Sequence, residues 1–81
     1  MTLVTLYGKP GCHLCDDARK VVESVRADVG FQLEEVDITL DPVLANRLGE
    51  RVPVVAIDGT ESFDYFVDAG ELRRRVGMVS P

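Results

Sequence analysis

Hydrophobic and polar positions change period several times along the chain, and each change marks a structural element. The run from Leu3 to Tyr7 is β-branched and aromatic with apolar residues on both faces, which suits a central strand starting near Thr2. Gly8, Pro10 and Gly11 break it. From His13 the spacing lengthens: Leu14, Ala18, Val21, Val22, Val25 and Val29 recur at helical steps, predicting one buried stripe that Gly30 terminates. On this reading Leu14 and Ala18 face the core and Cys15 does not. Asp16 and Asp17 fall in the first turn, where carboxylates suit the helix dipole, and Asp16 is within reach of Lys20.

Phe31 to Ile38 reads as a second strand, parallel to the first because a helix connects them. Asp41-Pro42 is a helix start, with Leu44 and Leu48 as its apolar face and Gly49 as its end. Pro53 to Ile57 is the third strand. Asp58-Gly59 is a hairpin turn leading to an antiparallel partner from Glu61 to Tyr65 or Phe66. Asp68 and Glu71 have capping-box spacing for a last helix with Leu72 and Val76 inward, closed by Gly77 and followed by a loose tail from Met78 to Pro81. The predicted order is β-α-β-α-β-β-α in one domain over residues 1–81, with no repeat or linker.

Composition narrows the function. The chain has 81 residues, 46% of them apolar, and a formal net charge of −5. That apolar content supports a core, and the acidic balance argues against a nucleic-acid partner. Arg73-Arg74-Arg75 reads as a solvated helix face. No apolar run is long enough to span a bilayer, so no membrane partner is expected. The N-terminus lacks the basic segment and long apolar core of a signal peptide, which makes the cytoplasm the expected location.

Both cysteines lie in Lys9-Pro10-Gly11-Cys12-His13-Leu14-Cys15, at the joint between the first strand and first helix. Unpaired N–H groups and the helix dipole at such a joint favour a thiolate, and Lys9 adds positive charge. Three other readings compete with a redox pair. A structural staple would close only four residues, worth roughly 2 kcal/mol against about 4.7 for a hundred-residue loop. A metal site would have at most Cys12, His13 and Cys15, whereas structural zinc takes four ligands. Two inert core thiols are the third. In a reducing compartment, C-x-x-C between a strand and a helix favours redox chemistry.

The element order, the Cys pair at the first strand–helix joint and the proline opening the third strand resemble the thioredoxin fold. More closely, Tyr7 to Cys15, Asp37 to Pro42 and Arg51-Val52-Pro53-Val54-Val55 resemble the glutaredoxin-like proteins, in particular a small group with a C-H-L-C centre. The resemblance implies an α/β fold with a four-stranded mixed sheet in the order 2-1-3-4 and three helices on its two faces. It makes Cys12 the attacking and Cys15 the resolving cysteine of a thiol–disulfide oxidoreductase. Lys9 would lie beside the thiolate, and Val52-Pro53 would be a cis pair whose first residue offers its N–H and C=O to an extended substrate. His13 is either an exposed polar residue or a modulator of the pair, and Leu14 and Val52 would shape a shallow docking surface.

No cofactor is expected beyond a redox-active Cys12–Cys15 disulfide. The implied partners are a disulfide-containing protein or low-molecular-weight thiol, and a thiol or protein reductase. A non-catalytic module, as an adaptor or a metal or iron–sulfur carrier pooling Cys12 from two copies, is the alternative. Glutaredoxins carry Gly-Gly and Asp before the last helix, where this chain has Phe66-Val67-Asp68. Glutathione is therefore expected to be a poor dedicated reductant.

Overall fold

The computed structural model describes residues 2–79, with side chains to residue 77. In chain order the elements are β1 (Leu3–Gly8), α1 (His13–Val29), β2 (Gln32–Asp37), a 3-10 turn (Ile38–Leu40), α2 (Pro42–Leu48), β3 (Val54–Ile57), β4 (Thr60–Asp64) and α3 (Ala69–Val79). The sheet order is β2-β1-β3-β4. β1 pairs parallel with β2 and antiparallel with β3, which pairs antiparallel with β4. This is the four-stranded mixed sheet and thioredoxin-like fold implied by the resemblance.

Strand alternation sorts the interior into two cores. Val4 and Leu6 of β1, with Val55 and Ile57 of β3, pack against Ala18, Val22 and Val25 of α1 and Leu72 and Val76 of α3. The intervening Tyr7 and Val54 point the other way, into a smaller cluster with Ile38, Leu48, Val52 and Cys15. Fully burying each Val or Leu contributes about 1.5–3 kcal/mol, so both faces hold the sheet. No described helix is long and apolar enough to cross a membrane.

The local signals act through visible bonds. The Asp41 carboxylate accepts from the Val43 and Leu44 amides at 2.9 and 3.4 Å, fixing the start of α2. Asp58 and Gly59 both take positive φ, 49° and 86°, as a tight hairpin between right-twisted strands requires.

Several expectations need correction. α3 runs through Gly77 to Val79, so Met78 and Val79 belong to the helix; the other two residues of the expected tail lie outside the described ones. Gly77 has no positive φ and simply continues the helix. Asp68 caps α3 by accepting from Gly70 at 3.0 Å, while Glu71 turns forward to Arg74 and Arg75. Asp16 pairs with Arg19 at 3.2 Å, one residue short of Lys20. The arginine run is not merely solvated. Arg73 bridges α3 to Asp28 of α1 at 2.6 Å, and the Arg75 guanidinium lies 5.1 Å from the centre of the Phe63 ring.

Candidate active site

Two chain segments far apart in sequence meet at one end of the sheet. β1 delivers the Cys loop as it ends, and β3 begins just after Pro53. Because the two strands are antiparallel, with Tyr7 opposite Val54, the end of one and the start of the other coincide. The Val52–Pro53 peptide bond is cis.

Cys12 is the N-cap of α1, with extended backbone (φ −97°, ψ 114°). Its carbonyl accepts the Asp16 amide at 3.2 Å, and its sulfur accepts the Cys15 amide at 3.3 Å. The sulfur thus takes the place of the hydroxyl or carboxylate oxygen common at that position. A thiolate accepts such a bond better than a thiol does, and the helix dipole acts in the same sense. Cys12 is half-buried, whereas Cys15 is only 3% exposed, and both are free thiols.

Cys15 lies on the buried stripe, and its environment holds its proton. Burial, then the hydrogen bond and charge of Cys12, push its thiol up from 9.0 to about 11, while the Lys9 backbone N–H and ammonium pull the other way. The expectation that Leu14 would be buried instead of Cys15 is overturned: Leu14 is 37% exposed. Cys15, Ala18, Val22 and Val25 are the buried residues of α1, and because a series from Leu14 keeps the same three- and four-residue steps, spacing alone does not decide between the two.

The other candidate residues divide. His13 is exposed in the first turn of α1. Lys9 is exposed too, with its ammonium 3.4 Å from the carbonyl of Gly49. Val52 departs from expectation in two ways. Its side chain is buried in the smaller core, and its N–H already donates to Leu48 O at 3.1 Å. The docking surface foreseen from Leu14 and Val52 therefore keeps only Leu14 of the two. Arg51, just before the Val52–Pro53 pair, is engaged with Glu61 at 2.7 Å and Asp64 at 3.5 Å.

Sequence reading passed over three residues at this end of the sheet. Gly8, which the sequence marks only as a strand breaker, ends β1 against the sulfur of Cys15. Tyr65 and Phe66, assigned to the end of β4, lie beyond it and are 43% and 72% exposed. An aromatic pair directly before a helix cap was the available signal. A cleft of about 470 Å³ opens on the opposite side, lined by Gly8, Lys9, Cys15, Arg19, Glu35 and Asp37 among others. Among the described residues, no group of three or more His, Cys, Asp or Glu is placed to hold a metal ion.

Comparison with known proteins adds the family. Residues 3–77 match the model of the glutaredoxin-like domain (DUF836). The chain belongs to that glutaredoxin-like family. An uncharacterized protein of Mycobacterium tuberculosis is 31% identical over 75 residues, an alignment covering 86% of this chain and 77% of the relative. The X-ray structure of a structural-genomics target protein from X. campestris superposes with a TM-score of 0.78 at 33% identity, covering 94% of this chain and 97% of that one. A mutant thioredoxin from Halobacterium salinarum superposes with a TM-score of 0.74 at 19% identity, covering 99% of this chain and 75% of that one, a likeness of fold alone. The glutaredoxin-like assignment thus covers every element that builds the site.

Proposed function

We propose that this glutaredoxin-like protein is a thiol–disulfide oxidoreductase. The Cys12 thiolate attacks one sulfur of a substrate disulfide, forming a mixed disulfide and releasing the other sulfur as a thiolate. Cys15 then loses its proton and attacks the Cys12 sulfur, releasing the second substrate thiolate and leaving a Cys12–Cys15 disulfide. Two electrons pass from the dithiol to the substrate. A protein reductase or a low-molecular-weight thiol returns them.

The observation that carries this reading is the 3.3 Å bond from the Cys15 amide to the Cys12 sulfur. One sulfur sits at the helix start, where it accepts the Cys15 amide, while the other waits, protonated, in the core. The mixed disulfide also primes the second step. Once Cys12 is covalently bound it carries no negative charge, and that reason for Cys15 to keep its proton disappears, while Lys9 still acts in the opposite sense. On this reading Leu14 and the Val52 carbonyl receive the partner backbone and side chains, and the exposed His13 sits at the rim.

Paired serine variants test the proposal. Cys15→Ser should accumulate a mixed disulfide with hydroxyethyl disulfide, detected by mass, and Cys12→Ser should form none. In the reduced protein only Cys12 should alkylate quickly below pH 7. Equal alkylation at the two positions would sink the assignment. An adaptor or cluster carrier would instead leave hydroxyethyl disulfide unreduced by the native protein.

A further inference from the structure

We infer that the hollow between the first turns of α1 and the Tyr65–Val67 loop docks a large aliphatic side chain of a protein substrate, next to a basic residue and close to the disulfide being reduced. This inference rests on Cys12 as the attacking thiol and specifies what it attacks.

The hollow measures about 110 Å³ and is walled by Leu14, Ala18, Val21, Phe66 and Val67, with Asp17 at its edge. That is room for one side chain of leucine or isoleucine size. It adjoins the thiol site on both sides. Leu14 belongs to the same first turn as Cys12, and Tyr65 donates its amide to the carbonyl of Pro53 at 2.9 Å. A chain whose sulfur reaches Cys12 is therefore within a residue or two of the hollow.

The loop holds its aromatic residues outward at a cost. Tyr65 adopts φ 67°, a left-handed conformation that bulky residues rarely take, and Phe66 is anchored by its amide to Asp64 O at 2.8 Å. Leu14, Tyr65 and Phe66 are half of the six large hydrophobic residues exposed among those described, and all three line this one hollow. Scattered exposed apolar residues are ordinary; a group of them lining a hollow beside a reactive thiol is not.

Charge selects the occupant. Asp17, at the edge of the hollow, is exposed and has no ion pair among the described residues, whereas Asp64 is shared with Arg51 and Asp68 with the Gly70 amide. The net charge of −5 adds a general field of the same sign. A leucine- or isoleucine-bearing segment with a lysine or arginine beside it complements both the wall and the rim. An acidic segment, or a small thiol with a free carboxylate, does not.

The test uses Cys15→Ser protein and three pentapeptides with a central cysteine activated as the 2-thiopyridyl disulfide. The first carries leucine on both sides of the cysteine and a terminal lysine. The second has serine for leucine, and the third has glutamate for lysine. Release of 2-thiopyridone should be at least tenfold faster for the first than for either other, after normalising to the rate with hydroxyethyl disulfide. Phe66→Ser should erase that preference, and Leu40→Ser, at an exposed apolar position outside the hollow, should keep it. Equal rates for the three peptides would overturn the inference, as would a preference indifferent to Phe66. Sedimentation showing a dimer that Phe66→Ser abolishes would also overturn it, because a second copy would then cover the patch. Titrating ¹⁵N-labelled protein with the first peptide, serine replacing cysteine, reads docking without thiol chemistry. Shifts at Leu14, Val21 and Val67 support docking even if no disulfide is ever reduced. Reduction without those shifts refutes docking and spares the oxidoreductase.

Discussion

A Cβ atom placed on Gly8 would lie 3.2 Å from the sulfur of Cys15 and 3.4 Å from its Cβ. The end of β1 thus leaves no room for a side chain, because the Cys15 thiol occupies that space. Gly8→Ala should push the sulfur aside by a few tenths of an ångström and destabilise the fold by about 1–3 kcal/mol, as overpacking does. The first attack, at Cys12, should keep its rate while the mixed disulfide persists longer. Single-turnover kinetics with hydroxyethyl disulfide separates the two steps. Slowing of both to the same extent would refute this role for Gly8.

The reduced protein should lose stability in alkali through Cys15. Its thiol is pushed up to about 11 in the folded state from 9.0, so between those values the folded protein keeps a proton that the unfolded chain has released. The stabilisation is complete below about pH 9 and is lost as pH rises through about 11. A shift of this size corresponds to something on the order of 2–3 kcal/mol. Thermal melts of reduced protein from pH 8 to 11 should fall more steeply than those of Cys15→Ser, whose hydroxyl does not titrate there. Parallel curves would show that the Cys15 proton is not what is lost.

Large apolar residues of the core and of the hollow should differ sharply in what they contribute to stability. Leu72 is fully buried between α3 and the sheet, and Leu72→Ala should cost about 2–5 kcal/mol. Phe66 is 72% exposed, and Phe66→Ser should change stability by no more than about 0.5 kcal/mol. Urea denaturation of the two variants checks this. A large loss from Phe66→Ser would mean that the ring supports the loop.

Glutathione should recycle the protein poorly. Recognition of that tripeptide needs partners for its charged ends. Arg51 is held by Glu61 and Asp64, Val67 packs against the main core, and Asp68 is committed to the Gly70 amide. Losing one charge-assisted anchor costs about 1.5–3 kcal/mol, roughly ten- to a hundredfold in affinity. Reduction by glutathione should rise linearly through the millimolar range without saturating. Saturable reduction that disappears in Lys9→Ala would restore glutathione as the dedicated partner.

What was legible in the sequence was whatever one local rule decides. The Asp41-Pro42 helix start, the Asp58-Gly59 turn and the Ala18, Val22, Val25 stripe each follow from short-range sterics or periodicity, and the structure has all three. The order of strands followed from the resemblance. Where two rules competed, sequence alone chose wrongly. Leu14 and Cys15 are adjacent and both apolar, and only the packing of Gly8 shows which turns inward. Gly77 has the residue type of a stop but the backbone of a helix interior, because α3 continues past it to Val79. The bond from Val52 N–H to Leu48 O depends on how α2 ends against β3, a contact no short motif specifies.

The opposed directions of β1 and β3 have a consequence for how this domain can vary. The thiol loop and Pro53 meet because Tyr7 stands opposite Val54 in the sheet ladder. The chain threaded between them, α1, β2 and α2, returns without altering that rung, because β2 pairs with the other edge of β1. Lengthening the exposed stretch around Leu40 and Val43 should therefore leave the geometry of the Cys12 and Cys15 sulfurs unchanged. Length can vary there, while a one-residue slip of β3 would separate the thiols from the proline.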